Sequence, residues 1–275
     1  MSYNLPQKEI ELRKQVDVAN DYFFNNQIIT GNVCEAQDKE QFVEKVIFNG
    51  DYPKLLHNFV GTLYKKVDKH NLYNLAINLQ GVKLEKINPF VWLVFDKSYG
   101  TYDFVNNTIT YFNKNSIPHE LLHLSSTINS LHSGFNIVKG KYSFADGFNE
   151  GYTEMLSQRI FFNEVFTNSA YKTDVYLLRI FELLYNDPKE LESAYFNADY
   201  ENPIKQFLNY GSLDEFKFIL KHLDYFAKTD IWDDEENIVF DLLINKVEKT
   251  KEKCKIKKAH AIYNEYLLTE NGKVR

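Results

Sequence analysis

The spacing of apolar residues changes twice along this chain, and those two changes limit what it can fold into. Before Gly81 the spacing is helical. In DYPKLLHNFVGTLYKKVDK, residues Leu55, Leu56, Phe59, Val60, Leu63 and Tyr64 form one stripe at intervals of three and four, and Asp51 and Pro53 supply start signals. After Gly81 the period falls to two in VKLEKI, as in a half-buried strand. FVWLVF is a continuous β-prone run of strand length and reads as a central strand. TYDFVNNTITYF sets two β-prone arms around Asn106 and Asn107; asparagine tolerates positive φ, so a hairpin is expected. Beyond Phe148 helical spacing returns in NEGYTEMLSQRIFF, TDVYLLRIFELLY, SLDEFKFILKHLDYF and ENIVFDLLINKVEKTK, with Pro188, Pro203 and Gly211 as breaks. The expected class is α+β: a small mixed β-sheet packed with a backing helix and a site-bearing helix, then a helical C-terminal region. The segments divide as 1–50, mostly helical; 51–165, the core that holds the motifs; and 166–275, helical.

Composition narrows the partners. With 275 residues, 44% of them hydrophobic, the chain can bury a substantial core. A net charge of -6 argues against a nucleic-acid backbone as the main partner. The lysine-rich run KTKEKCKIKKAH, from Lys249, has mixed charges and follows the acidic DDEE, so it reads as a solvated helix face. Cys34 and Cys254 lie far apart and suggest neither a disulfide framework nor a CxxC metal site. The polar N-terminal stretch and the lack of any run of about 18 apolar residues lead to the expectation of no membrane span and a cytoplasmic location.

The chemistry concentrates in SIPHELLHLSS, residues 116–126. Residues four apart share a helix face, so His119 and His123 can aim their imidazoles at one point and grip a Zn²⁺ ion. Glu120 is turned about 100° from His119 around the axis, where it can reach a water beside the metal without binding the metal. Ser116 is a candidate N-cap and Pro118 fits only a first turn, so the helix should begin close to the motif. The same residues are also compatible with a plain amphipathic helix carrying two histidines.

A third ligand separates the two readings, because a catalytic zinc needs three protein ligands and one open position. In DGFNEGYTEMLSQ, Glu150 can complete a two-histidine, one-carboxylate set. Glu154, one turn on, can accept a hydrogen bond from the other ring nitrogen of a ligating histidine, and Asn149 can do the same for its neighbour. Asp146 is a rival third ligand.

HELLH at 119–123 followed by NEGYTE at 149–154 resembles the gluzincin metallopeptidases, in which HExxH is followed on a later helix by NExxxD or a close variant. The compact layout resembles the single-domain minigluzincins. The resemblance implies a zincin-like fold and zinc ligated by His119, His123 and Glu150. It also implies Glu120 as general base, with Asn149 and Glu154 supporting the two histidines. Glu154 stands where the family commonly has aspartate. The specific match spans residues 119–154; the first 50 residues and the last 110 or so lie outside it. The implied activity is zinc-dependent hydrolysis of a peptide or protein substrate, and the alternative is a non-catalytic zinc-binding interaction module. Tyr142, Tyr171, His132 and His222 are candidates to stabilise an oxyanion, and TITYF reads either as a sheet edge beside the cleft, where a peptide could add as a strand, or as part of a plain hairpin covering the core.

Overall fold

The structure, a computed structural model, describes residues 11, 14–18, 37–88, 100–129, 132–139, 142–162, 171–228 and 235–271. After a helical stretch at residues 14–18 come helices α1 (Gln37–Asn49), α2 (His57–Lys66) and α3 (Tyr73–Leu79). Strands β1 (Lys83–Lys86), β2 (Gly100–Asp103) and β3 (Thr108–Tyr111) follow, then helix α4 (Ile117–Ser126). A meander of β4 (Thr127–Asn129), β5 (His132–Ser133), β6 (Asn136–Lys139) and β7 (Tyr142–Phe144) leads into α5 (Asp146–Ser157). The rest is helical: α6 (Lys172–Phe181), α7 (Pro188–Phe196), α8 (Glu201–Leu208), α9 (Leu213–Lys228), α10 (Glu235–Lys249) and α11 (Lys253–Asn271). The protein is therefore mixed α and β, with two small sheets among the described residues and a helical C-terminal region.

The first sheet has the order β1-β3-β2, with β1 parallel and β2 antiparallel to β3. Its hairpin turns at Asn107, whose φ is 49°. Asp103 Oδ1 accepts the backbone N–H groups of Val105 and Asn106 and stabilises the turn. TITYF does not form the sheet edge of the first reading. It is β3, the middle strand of the three described, and β2 is the outer strand that lies on α4. Strand order depends on pairing with a distant segment, here β1, which alternation within one strand does not encode. FVWLVF lies outside the described residues.

Helix α4 begins one turn later than its first cap. Asn113 accepts the N–H of Asn115 and opens a short 3₁₀ turn at Lys114–Ser116, and α4 continues from it with Pro118 in its first turn. Ser116 makes no capping bond; its hydroxyl donates to Asn113 O at 2.9 Å. Leu121, Leu122 and Leu124 are fully buried, together with Ile117, so α4 runs through the interior rather than along the surface. Its C-terminal carbonyls are satisfied from outside the helix. The Asn78 amide of α3 donates to Leu124 O and Thr127 O at 2.9 and 2.7 Å, and the Thr127 hydroxyl donates to His123 O at 2.8 Å.

Helix α5 is held by two close crossings. A Cβ placed on Gly147 would lie 2.0 Å from the carbonyl oxygen of Leu223 in α9, and one on Gly151 would lie 2.5 Å from Asp174 Cβ in α6. Glycine at both positions lets two helices approach the backbone of α5. Ala145, with φ 56° and ψ 33°, makes the corner from β7 into α5. A single cluster of buried apolar residues runs from Val43 to Tyr266 and includes Phe135, Phe148 and Tyr152 around α5. The basic run near the C-terminus spans a helix break instead of one face: Lys251 has φ 61° between α10 and α11. Among the described residues no helix is long and apolar enough to cross a membrane.

Candidate metal centre

Helix α4 presents His119 and His123 one turn apart, and α5 packs against α4 with Glu150 facing them. The His119 and His123 Nε2 atoms are 3.0 Å apart. Glu150 Oε2 is 3.1 Å from His119 Nε2, and Glu150 Oε1 is 3.2 Å from His123 Nε2. A tetrahedral cation with ligands at about 2.0–2.1 Å separates its donor atoms by about 3.3 Å, so this triangle has the dimensions of one face of such a site. Among the described residues these three form the group able to hold a metal ion. Between 10% and 19% of each of the three side chains stays exposed, so the cluster is mostly buried but keeps some contact with solvent.

The outward-facing ring nitrogens are also engaged. His119 Nδ1 meets Glu154 Oε2 at 2.9 Å, so the longer glutamate arm makes the contact directly. His123 Nδ1 faces the Asn149 amide nitrogen at a looser 3.4 Å, while Asn149 Oδ1 accepts the Phe135 N–H at 2.9 Å. Asn149 thus ties α5 to the meander as well as approaching the histidine. Asp146, the rival ligand, is turned toward β6, where its Oδ1 accepts from Asn136 Nδ2 at 3.0 Å.

The electrostatics follow from burial and neighbours. Burial works to raise the Glu150 carboxyl, but the His123 charge and hydrogen bonds from His119 and His123 hold it well below the usual carboxylate range. Burial works to lower His119, and the contacts with Glu150 and Glu154 raise it well above the ordinary imidazole range. Glu120 lies beside the triangle and not in it. Only 6% exposed, it is raised by burial, which outweighs the pull of the two imidazoles and of a hydrogen bond from the Tyr102 backbone of β2. Space for Glu120 comes from Gly100, where an added Cβ would lie 2.9 Å from Glu120 Oε1.

Of the four residues named as oxyanion donors, the structure brings Tyr171 to the cluster. Its ring stacks on His119 at 5.8 Å between centroids, and its hydroxyl hydrogen-bonds Glu150. Burial, followed by the charges of Glu150 and Glu120, raises its hydroxyl pKa, so it keeps its proton. His132 pairs with Asn129 in the meander, at 3.1 Å. His222 donates from Nδ1 to Phe218 O at 2.7 Å and sits among Phe218, Tyr225 and Phe226 in α9, a packing role. The Tyr142 side chain and Cys34 lie outside the described residues. Sequence reasoning missed Gln158, whose amide donates to Glu154 Oε1 at 2.9 Å; its place four residues after Glu154 is the signal that points to it.

Set beside family models, curated proteins and solved structures, the chain matches none of them.

Proposed function

We propose that this chain is a zinc-dependent peptidase of gluzincin type. The reading is carried by the convergence of His119 Nε2, His123 Nε2 and the Glu150 carboxylate on one point, with an unligated acid, Glu120, alongside. The donor set, two imidazoles and one carboxylate that keep some contact with solvent, suits zinc in a hydrolytic role. A zinc ion there would act as a Lewis acid toward a carbonyl and toward water.

The chain's own residues would do the rest. Glu120, buried and raised, is suited to take a proton from the attacking water as the oxygen–carbon bond forms. As the carbon–nitrogen bond breaks, it would pass that proton to the leaving amine. Tyr171, protonated and hydrogen-bonded to Glu150, would donate to the oxygen that gains charge by turning its hydroxyl away from Glu150. Glu154 would hold the His119 ring in one orientation. Strand β2, an outer strand among the described residues whose Tyr102 backbone reaches Glu120, would be the place where an extended peptide pairs.

Zinc content and cleavage of a peptide library, measured on wild type and on Glu120→Gln, test this. The peptidase reading expects zinc in both proteins and cleavage by wild type alone. Wild type that holds zinc and cleaves nothing would favour a zinc-bearing interaction module. A chain that takes up no zinc would end both.

A further inference from the structure

Gln158 stands outside every motif in the sequence, yet it closes a line of contacts that ends at His119. At Gln158 the α5 rod passes into a π-helical turn, Gln158–Phe162. Such turns are rare and concentrate at functional sites. This one is fixed from two sides: Arg159 makes a two-pronged contact with Glu182, at 3.0 and 2.7 Å, and Ile160 O accepts from Lys66 Nζ in α2 at 2.5 Å. Gln158 therefore does not sit at a fraying helix end.

The Gln158 side chain is 2% exposed. Its amide nitrogen donates to Glu154 Oε1 at 2.9 Å, and the other oxygen of the same carboxylate meets His119 Nδ1 at 2.9 Å. An ionised carboxylate can only accept, so the nitrogen and not the oxygen of Gln158 faces it. That choice leaves Gln158 Oε1 buried with no hydrogen-bond partner among the described residues. A buried orphan acceptor is costly, and its presence indicates that the nitrogen's position is what the fold preserves.

A glutamate has one more rotatable bond than an aspartate and more rotamer freedom to lose when it supports a histidine. A second anchor one helical turn away removes that freedom beforehand. We infer that Gln158 is a positioning residue that fixes the Glu154 carboxylate against His119 and so aims His119 Nε2 at the metal position. The inference rests on the zinc reading above.

The test is a double-mutant cycle on equilibrium zinc affinity, measured on the full chain by competition with a chelating indicator, with no substrate involved. Gln158→Met keeps the length of the side chain and removes the amide. It should weaken zinc binding about tenfold, the lower end of the effect of losing a supporting partner. In a Glu154→Ala background the same substitution should cost nothing, because the residue it acts through is gone. The visible spectrum of the cobalt-substituted protein should shift in Gln158→Met and be indifferent to it once Glu154 is alanine. Should Gln158→Met fold poorly, Gln158→Asn, which shortens the arm, should give the same pattern. Unchanged zinc affinity, or an equal loss in both backgrounds, would overturn the inference while leaving the zinc site in place. Wild type that binds no zinc would overturn the metal reading and this inference with it.

Discussion

Two adjacent faces of α5 border buried carboxyl groups, one its own and one of α6, whose pKa values are pushed in opposite directions. On one, Glu150 faces two imidazoles and is held well below the usual carboxylate range in spite of burial. On the next, beside Gly151, Asp174 of α6 is raised far above that range, by burial first and by Asp224 of α9 second. Asp224 itself accepts the Gly147 N–H at 2.8 Å. Burial pushes both carboxyls up; Glu150 is the one whose imidazole neighbours reverse that push, while Asp224 adds to it at Asp174. A hydrolytic site needs the first arrangement, whereas the second favours the neutral acid where helices cross.

The sharpest break in that comparison is at the proposed general base. Glu120→Gln should lower hydrolysis of any peptide that wild type cleaves by about 10³-fold, read as kcat/KM, with zinc content unchanged. Next comes the crossing that keeps the two faces apart. In Gly147→Ala the new methyl would meet the Leu223 carbonyl oxygen, so chemical denaturation should show a loss of about 3 kcal/mol, and both faces should be disturbed together. Gly100→Ala touches the first face alone. Its Cβ would crowd Glu120 and should reduce kcat about tenfold while zinc affinity stays the same.

Asp174→Asn addresses the second face through pH. Because its folded pKa is raised, Asp174 contributes fully to stability below the unfolded carboxylate value near pH 4, and that contribution falls as pH rises toward the folded value. The asparagine variant lacks this loss. Its stability relative to wild type should climb from about pH 4 upward, by at most about 1.4 kcal/mol per pH unit, in thermal melts of the metal-free protein. Glu150 bends the curve the other way: with its folded pKa lowered, its contribution is present above the unfolded value and lost as pH falls.

The first face was largely legible in the sequence, and the second was not. HELLH needs only helical periodicity to place two imidazoles together, and NEGYTE repeats the logic one helix later. Glu150 was already the third ligand that the resemblance implied, and the packing of α5 turns its rival Asp146 toward Asn136. Tyr171 was one of four oxyanion candidates in the sequence, and its approach to His119, which sets it apart from the other three, comes from tertiary structure. Asp174 reads in TDVYLL as an ordinary acid in a helix's first turn, and only the close crossing at Gly151 reveals its burial. The alternation in VKLEKI and the asparagines at 106 and 107 located the strands and their hairpin, while the strand order, and with it the outer position of β2, rested on long-range pairing.

The small meander between α4 and α5 stitches the two helices together. Gly134 donates its N–H to Ser126 O at the end of one, and Phe135 donates to Asn149 Oδ1 on the other. A receptacle whose walls are already laced loses little freedom when it is filled. Loading of a cation should then be a simple docking event on a finished scaffold, in contrast to small zinc modules that acquire their shape only as the ion arrives.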